Sequence, residues 1–212
     1  NDLRKPEITF PLRVFVCENC WLVQTEDFTQ AEDLFRNDYT YFSSTSNFWL
    51  EHSSQFCKMI QERLSLTNES FVVEIASNDG YLLRNFVSAG VNCLGIEPTE
   101  TTATAAEKQG ITVLREFFSE EIGQRLAKEG KSADLIIANN VLAHVPDVKD
   151  FVKGFALLLK SNGVACFEFP HLYNLIKYKQ FDTIYHEHFS YFSFISVNNI
   201  FKECGLKIID VE

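Results

Sequence analysis

From residue 71 onward, apolar runs of strand length alternate with amphipathic stretches of helical length, a rhythm that few architectures accept. Strands are expected at 71–76, 92–97, 111–115, 134–139, 163–169 and 206–211, with helices at 80–89, 100–109, 119–129, 149–160 and 196–204. Gly90, Gly110, Gly130, Gly163 and Gly205 each stand just before a strand, where a helix end favours a residue that tolerates positive φ. Strands this apolar are covered on both faces, so the pattern specifies an α/β fold: a parallel sheet with helices on both sides. Upstream, Phe48, Trp49, His52, Phe56, Met59, Ile60 and Leu64 recur at helical spacing and predict a helix from Ser46 to about Leu66. The chain therefore divides into a small N-terminal segment at 1–45 and the α/β domain at 46–212.

The 212 residues are 46% hydrophobic and 23% charged, enough for one such domain and a small appendage. A net charge of −10 argues against nucleic acid or an anionic membrane as a partner. No apolar run approaches the roughly 20 residues that span a bilayer, and no signal-peptide pattern opens the chain, so a cytoplasmic protein is expected. The opening on Asn1, and the strand-like run at 206–211 that stops with the chain, read as a piece of a longer protein. Four of the six cysteines, Cys57, Cys93, Cys166 and Cys204, sit singly in apolar surroundings and read as buried small hydrophobes.

Phe71 to Ala76, the turn Ser77-Asn78-Asp79-Gly80 and the following helix form a first strand, tight turn and first helix, which bring backbone N–H groups to a polar ligand. A dinucleotide site would prefer G-x-G-x-x-G, whereas this turn holds only Gly80 and carries Asp79, which repels a pyrophosphate. S-adenosylmethionine has no phosphate and bears a sulfonium and an amino group, so it suits an acidic turn better. The second strand ends in Glu97, 97 − 74 = 23 positions after Glu74, where a carboxylate can accept from ribose hydroxyls. The fourth runs into Asn139 and Asn140, whose amides can hold the amino-acid part of that cofactor. Glu74, Ala76, Asn78, Asp79, Gly80, Glu97, Asn139 and Asn140 are therefore the candidate cofactor-binding residues.

These segments, together with Gly95-Ile96-Glu97-Pro98, Asn139-Asn140-Val141-Leu142-Ala143-His144-Val145 and Tyr185-His186-Glu187-His188-Phe189-Ser190-Tyr191-Phe192-Ser193, resemble the zinc-ribbon sugar C-methyltransferases over nearly the whole chain. The last motif is the most specific. Ala76 departs from the family pattern, which has glycine there. The resemblance implies a class I S-adenosylmethionine-dependent methyltransferase fold and a keto-deoxysugar nucleotide as the small-molecule substrate. It makes His188 the general base that removes a proton from the carbon beside the ketone. Glu187 orients that base or bonds a substrate hydroxyl, Tyr185 bonds the keto oxygen, and Tyr41 lines the sugar pocket. The surroundings suit such roles, because titratable groups set among Phe181, Phe189, Tyr191, Phe192 and Phe194 are partly desolvated. His144 and His171 read as packing or pocket-wall residues.

A competing reading gives His186 and His188, two apart on an extended segment, to a metal, but the i, i+4 pairing of a helical zinc site is missing. Cys17-Glu18-Asn19-Cys20 matches one knuckle of a zinc ribbon, and Cys17 and Cys20 supply half of the four ligands a structural zinc requires. The family carries its first pair upstream and a further C-terminal domain. Three rivals remain: methyl transfer to oxygen or nitrogen, a non-catalytic interaction module on this fold, and a nicotinamide dehydrogenase, which the single glycine of the turn disfavours. Nothing in the sequence sets the oligomeric state.

Overall fold

The computed structural model describes residues 9–28 and 40–212; most of the weakly periodic stretch between Asp27 and Tyr41 lies outside them. Five parallel strands form the main sheet: β3 (Phe71–Ile75), β4 (Asn92–Ile96), β5 (Thr112–Leu114), β6 (Ala133–Asn139) and β7 (Leu159–Glu168), in the order β5-β4-β3-β6-β7. Their crossovers carry α2 (Leu83–Ser88), α3 (Glu100–Glu107), α4 (Glu120–Lys128) and α5 (Val148–Leu158), and α1 (Asn47–Leu64) precedes them. The expected α/β architecture is thus the one observed.

Alternation along the strands divides the core into two layers. Val73 and Ile75 of β3 join Ile136 and Ala138 of β6 against α4 and α5, through Ile122, Leu126, Phe151 and Phe155. Val72, Leu135 and Ile137 point the other way, onto Cys57 and Ile60 of α1 and Leu83 and Phe86 of α2. Glu74 belongs to the second layer by parity, a carboxyl group where an aliphatic residue would ordinarily lie. Cys57 and Cys204 are buried, and Cys93 and Cys166 are partly buried, within these layers.

Three expectations about elements need correction. The first helix begins at Leu83 and not at residue 80, because Asn78 and Gly80 both take positive φ (49° and 81°) and the turn uses up the intervening residues. Strand β7 starts at Leu159, four residues earlier than expected, with a register irregularity against β6 between Ala133 and Leu135. Residues 206–211 form no strand: Leu206 and Ile208 pack on the core, Ile209 and Val211 face outward, and Arg63 of α1 holds Asp210 at 2.5 Å and Glu212 at 3.2 Å.

A second sheet was not expected. β1 (Val14–Val16) and β2 (Val23–Thr25) form a hairpin, and β2 pairs antiparallel with β8 (Ser190–Tyr191), which comes from the segment after His188. The N-terminal hairpin is therefore continuous with the segment that carries the candidate base. Leu172–Lys177 forms α6 and Phe194–Glu203 forms α7, the latter opened by a Ser193/Ser196 capping box. Among the described residues, no helix is long and apolar enough to cross a membrane.

Candidate active site

Connections leave β3 and β6 toward opposite edges of the sheet, so their carboxyl ends open a crevice at the switch point, where open α/β sheets bind ligands. A cleft of about 710 Å³ lies there, lined by Tyr41, Ala76, Asn78, Glu97, Asn139, Asn140, Tyr185, Glu187 and His188. Two segments that are far apart in sequence, the turn after β3 and the stretch 185–188, thus face one space.

The backbone enters the left-handed region just after both β3 and β6. Ala76, Asn78 and Asn140 all have positive φ, at 54°, 49° and 54°. Asparagine accepts this region readily, whereas alanine is there at a cost. Gly80, at φ 81°, has its role in packing: a Cβ on it would collide with Ile111 Cδ1 and press on Ala106. Gly95 of β4 is required by close approach, since a Cβ there would run into the Ser77 hydroxyl.

Glu97 is buried, with Oε2 accepting from the Asn78 N–H at 2.9 Å and Oε1 from the Thr99 N–H at 3.0 Å and hydroxyl at 2.5 Å. These donors fix the direction in which the carboxylate points. Thr99, two residues beyond the acid, is a positioning partner that the sequence reading missed. The Asn78 and Asp79 side chains are committed to the segment at 41–44: Asn78 Oδ1 accepts from Ser43 N–H at 2.9 Å, its amide donates to the Tyr41 carbonyl at 2.9 Å, and Asp79 Oδ2 accepts from Ser44 N–H at 3.2 Å.

Asn139 Nδ2 is buried without a hydrogen-bond partner, and so are both carboxyl oxygens of Glu74. Glu74 does not line the cleft but lies beneath it in the sheet layer. Burial pushes its pKa well above the ordinary carboxylate range, Glu97 and Asp79 add to this, and nearby Tyr81 pulls the other way. Tyr81 in turn faces Trp49, and Trp49 stacks on His52, which meets Glu168 at 2.8 Å. Trp49 and Tyr81 complete this wall of the cleft. An unused amide donor, a fixed carboxylate acceptor and an aromatic wall fit the carboxylate, ribose and base of S-adenosylmethionine.

On the facing side, His188 Nδ1 lies 2.7 Å from the Thr183 carbonyl and must carry the proton, which leaves Nε2 to accept from the Tyr185 hydroxyl at 3.0 Å. Burial lowers the His188 pKa, so the ring is neutral at neutral pH. Tyr185 is shifted upward by burial, with Glu187 and Tyr41 contributing. His144, also on the cleft wall, places Nδ1 2.9 Å from the Glu187 carbonyl, and burial drives its pKa down to about 4. His186 points elsewhere, its Nε2 3.1 Å from the Pro11 carbonyl, so the two histidines of the motif do not converge on one ion.

Cys17 and Cys20 lie in the β1–β2 turn as free, partly exposed thiols. Cys17 N–H donates to the Leu22 carbonyl and Trp21 N–H to the Cys17 carbonyl, both at 2.9 Å, with Trp21 at φ 63°. The N–H groups of Cys20 and Asn19 point at the Cys17 sulfur and lower its pKa. This turn favours a thiolate. Among the described residues, no group of three or more His, Cys, Asp or Glu could hold a metal.

The sheet order and the crevice define the class I methyltransferase type of Rossmann-like fold. A model of the family described as "Methyltransferase domain" matches residues 49–211, and one described as "Putative zinc binding domain" matches residues 1–35. The C-methyltransferase NovU of Streptomyces niveus is 36% identical over 205 residues, covering 97% of this chain and 49% of its own. The ubiquinone biosynthesis O-methyltransferase of Salmonella paratyphi A (strain ATCC 9150 / SARB42) is 23% identical over 159 residues, 68% of this chain and 65% of its own. The chain spans about half the length of NovU and under two thirds of the other.

Among solved structures, the magnesium protoporphyrin IX methyltransferase ChlM of Synechocystis PCC 6803, with bound SAH, superposes with a TM-score of 0.57 at 15% identity, covering 85% of this chain and 84% of that one. A SAM-dependent methyltransferase of Archaeoglobus fulgidus gives 0.55 at 16% identity, over 76% and 74%. These likenesses speak to the fold. The chain belongs to the methyltransferase-domain family, with a segment beside that domain that matches the zinc-binding model.

Proposed function

We propose that this chain carries the cofactor-binding and base-bearing machinery of a C-methyltransferase that acts on a nucleotide-linked keto-deoxysugar. The observation that carries the reading is the His188 ring, fixed by the Thr183 carbonyl and presenting Nε2 to the same cleft that Glu97 and Asn139 line. When bound, S-adenosylmethionine supplies an electrophilic methyl group. Glu97 accepts from the ribose hydroxyls, Asn139 Nδ2 donates to the carboxylate, and Trp49 and Tyr81 wall the site.

His188 Nε2 removes the proton from the carbon beside the substrate ketone. Tyr185, already bonded to Nε2, turns its hydroxyl to the keto oxygen as negative charge builds there, the type of donor that stabilises an enolate. Glu187 lines the same wall, where it bonds a sugar hydroxyl, and Tyr41 closes the mouth. In the N-terminal hairpin, Cys17 and Cys20 supply two thiolates of a structural zinc site.

The test is His188→Asn, assayed with a nucleoside-diphosphate-linked keto-deoxyhexose in D2O with S-adenosylhomocysteine in the cofactor site. The wild-type protein is expected to exchange the hydrogen beside the ketone for deuterium without any methyl transfer. The variant is expected to lose this exchange and methylation together at unchanged S-adenosylhomocysteine affinity. Undiminished methylation by the variant would point to an oxygen or nitrogen acceptor instead, and no binding of either cofactor form by the full-length protein would point to a non-catalytic module.

A further inference from the structure

Among the described residues, Tyr41 reaches the cleft from a segment with few anchors of its own. Residues 43–45 form a single 3-10 turn, closed by Thr45, whose N–H and hydroxyl both donate to the Phe42 carbonyl at 3.2 Å and 2.8 Å. Ser46 then caps α1 by accepting from Trp49 N–H. Nothing in this local pattern sets where Tyr41 stands. Among the described residues, what ties it down comes from the turn after β3. Asn78 accepts from Ser43 and donates to the Tyr41 carbonyl, Asp79 accepts from Ser44, and the three bonds run at 2.9, 2.9 and 3.2 Å. The Asn78 backbone N–H simultaneously donates to Glu97 at 2.9 Å.

We propose that Asn78 and Asp79 are positioning residues whose side chains clamp Tyr41 at the mouth of the cleft, so that the cofactor side and the acceptor side are held by one turn. The inference rests on the reading of Tyr41 given above. Both polar ends of the Asn78 amide are already occupied, and its left-handed backbone is one that asparagine tolerates. Asp79 is buried, with Oδ2 on Ser44 and Oδ1 without a partner. The acidic turn therefore reaches a bound cofactor through its backbone, while its side chains grip residues 41–44. A ligand that orders the turn orders Tyr41 with it, which couples the two halves of the site.

Amide hydrogen exchange at Ser43 and Ser44 reads the clamp directly, because those two N–H groups are its donors. In the full chain, Asn78→Gly, which keeps the left-handed backbone but removes both the acceptor used by Ser43 N–H and the donor to the Tyr41 carbonyl, is expected to speed exchange at Ser43 about tenfold, the worth of one buried hydrogen bond. Asp79→Ala is expected to do the same at Ser44, with Asp79→Asn restoring protection. S-adenosylhomocysteine should slow both amides in the wild type and less so in the two damaging variants, at affinities within about threefold of wild type. With the keto-deoxyhexose nucleotide, Asn78→Gly should lower kcat more than it raises KM and add nothing to Tyr41→Phe.

Unchanged exchange at Ser43 and Ser44 in both variants overturns the clamp. So does a loss of S-adenosylhomocysteine affinity with protection intact, which would make these side chains cofactor ligands. If exchange quickens as expected while Tyr41→Phe turns over like wild type, the clamp stands and the role given to Tyr41 in the proposed function fails.

Discussion

The imidazoles of His144 and His188 meet edge to face with ring centroids 4.6 Å apart, each held through Nδ1 by a backbone carbonyl, Glu187 for one and Thr183 for the other. Burial, with His188 adding to it, drives the His144 pKa down to about 4. The unfolded chain takes up a proton near pH 6.5, where the folded site does not. Folding free energy from this group is therefore complete above about pH 6.5 and is lost as pH falls toward 4, amounting to about 3 kcal/mol at most. His144→Asn should flatten the fall in unfolding free energy between pH 7 and 5 measured by urea titration; an unchanged slope would mean that His144 is protonated in the fold.

Thr25, at the end of β2, donates its hydroxyl to the His188 carbonyl at 2.8 Å and its N–H to the Phe189 carbonyl at 3.1 Å. The cysteine-bearing hairpin thereby reaches the candidate base through one residue. Thr25→Val keeps the shape and the β propensity but leaves the His188 carbonyl without that donor, which costs about 1–2 kcal/mol. The expected outcome is a lower melting temperature and a reduced kcat, with S-adenosylhomocysteine affinity unchanged in calorimetry. Thr25→Ser should recover most of both losses.

Ala76 holds φ at 54° on the cleft wall. Leaving the left-handed region unfavoured costs an alanine about 1 kcal/mol or more, part of which glycine returns as extra freedom in the unfolded chain. Ala76→Gly should therefore raise stability by about 0.5–1 kcal/mol, a gain in the melting temperature of about 1–4 °C for a chain this size. A lower melting temperature would show that the alanine methyl contributes packing that outweighs its strain.

The layered fold was legible because its signals are local and repeat: strand parity, helical spacing and the glycines at helix ends each recur along the domain. Glu97, Asn139 and Asn140 were legible as strand-terminal polar residues at the switch point. The pairing of β2 with β8 was not, since Val23–Thr25 and Ser190–Tyr191 are too short to signal strands and meet only in the folded chain. The strand expected at 206–211 failed for the opposite reason: its alternation is strand-like, but only Leu206 and Ile208 find cover. The turn residues show a different limit. Asn78 and Asp79 stand where a cofactor turn puts polar groups, yet their side-chain partners are set by a loop more than thirty residues upstream.

Glu74 is the least expected group in the core, a fully buried carboxyl with neither oxygen hydrogen-bonded. Its pKa is raised by desolvation first and then by Glu97 and Asp79, so the folded protein retains a proton that the unfolded chain gives up near pH 4.3. Stability from this group is fully present below that value and declines as pH rises toward the folded pKa. Glu74→Gln keeps the shape of the neutral acid and cannot ionise. Its melting temperature should match wild type at pH 4 and exceed it at pH 7, with the gap widening as pH rises. Because Glu74 lies beneath the cleft and not on its wall, S-adenosylhomocysteine affinity should change less than about twofold, well under one hydrogen bond's worth. A larger loss of affinity, with the thermal gain intact, would return Glu74 to the cofactor's own ligands and explain why an unpartnered acid is kept in an aliphatic layer.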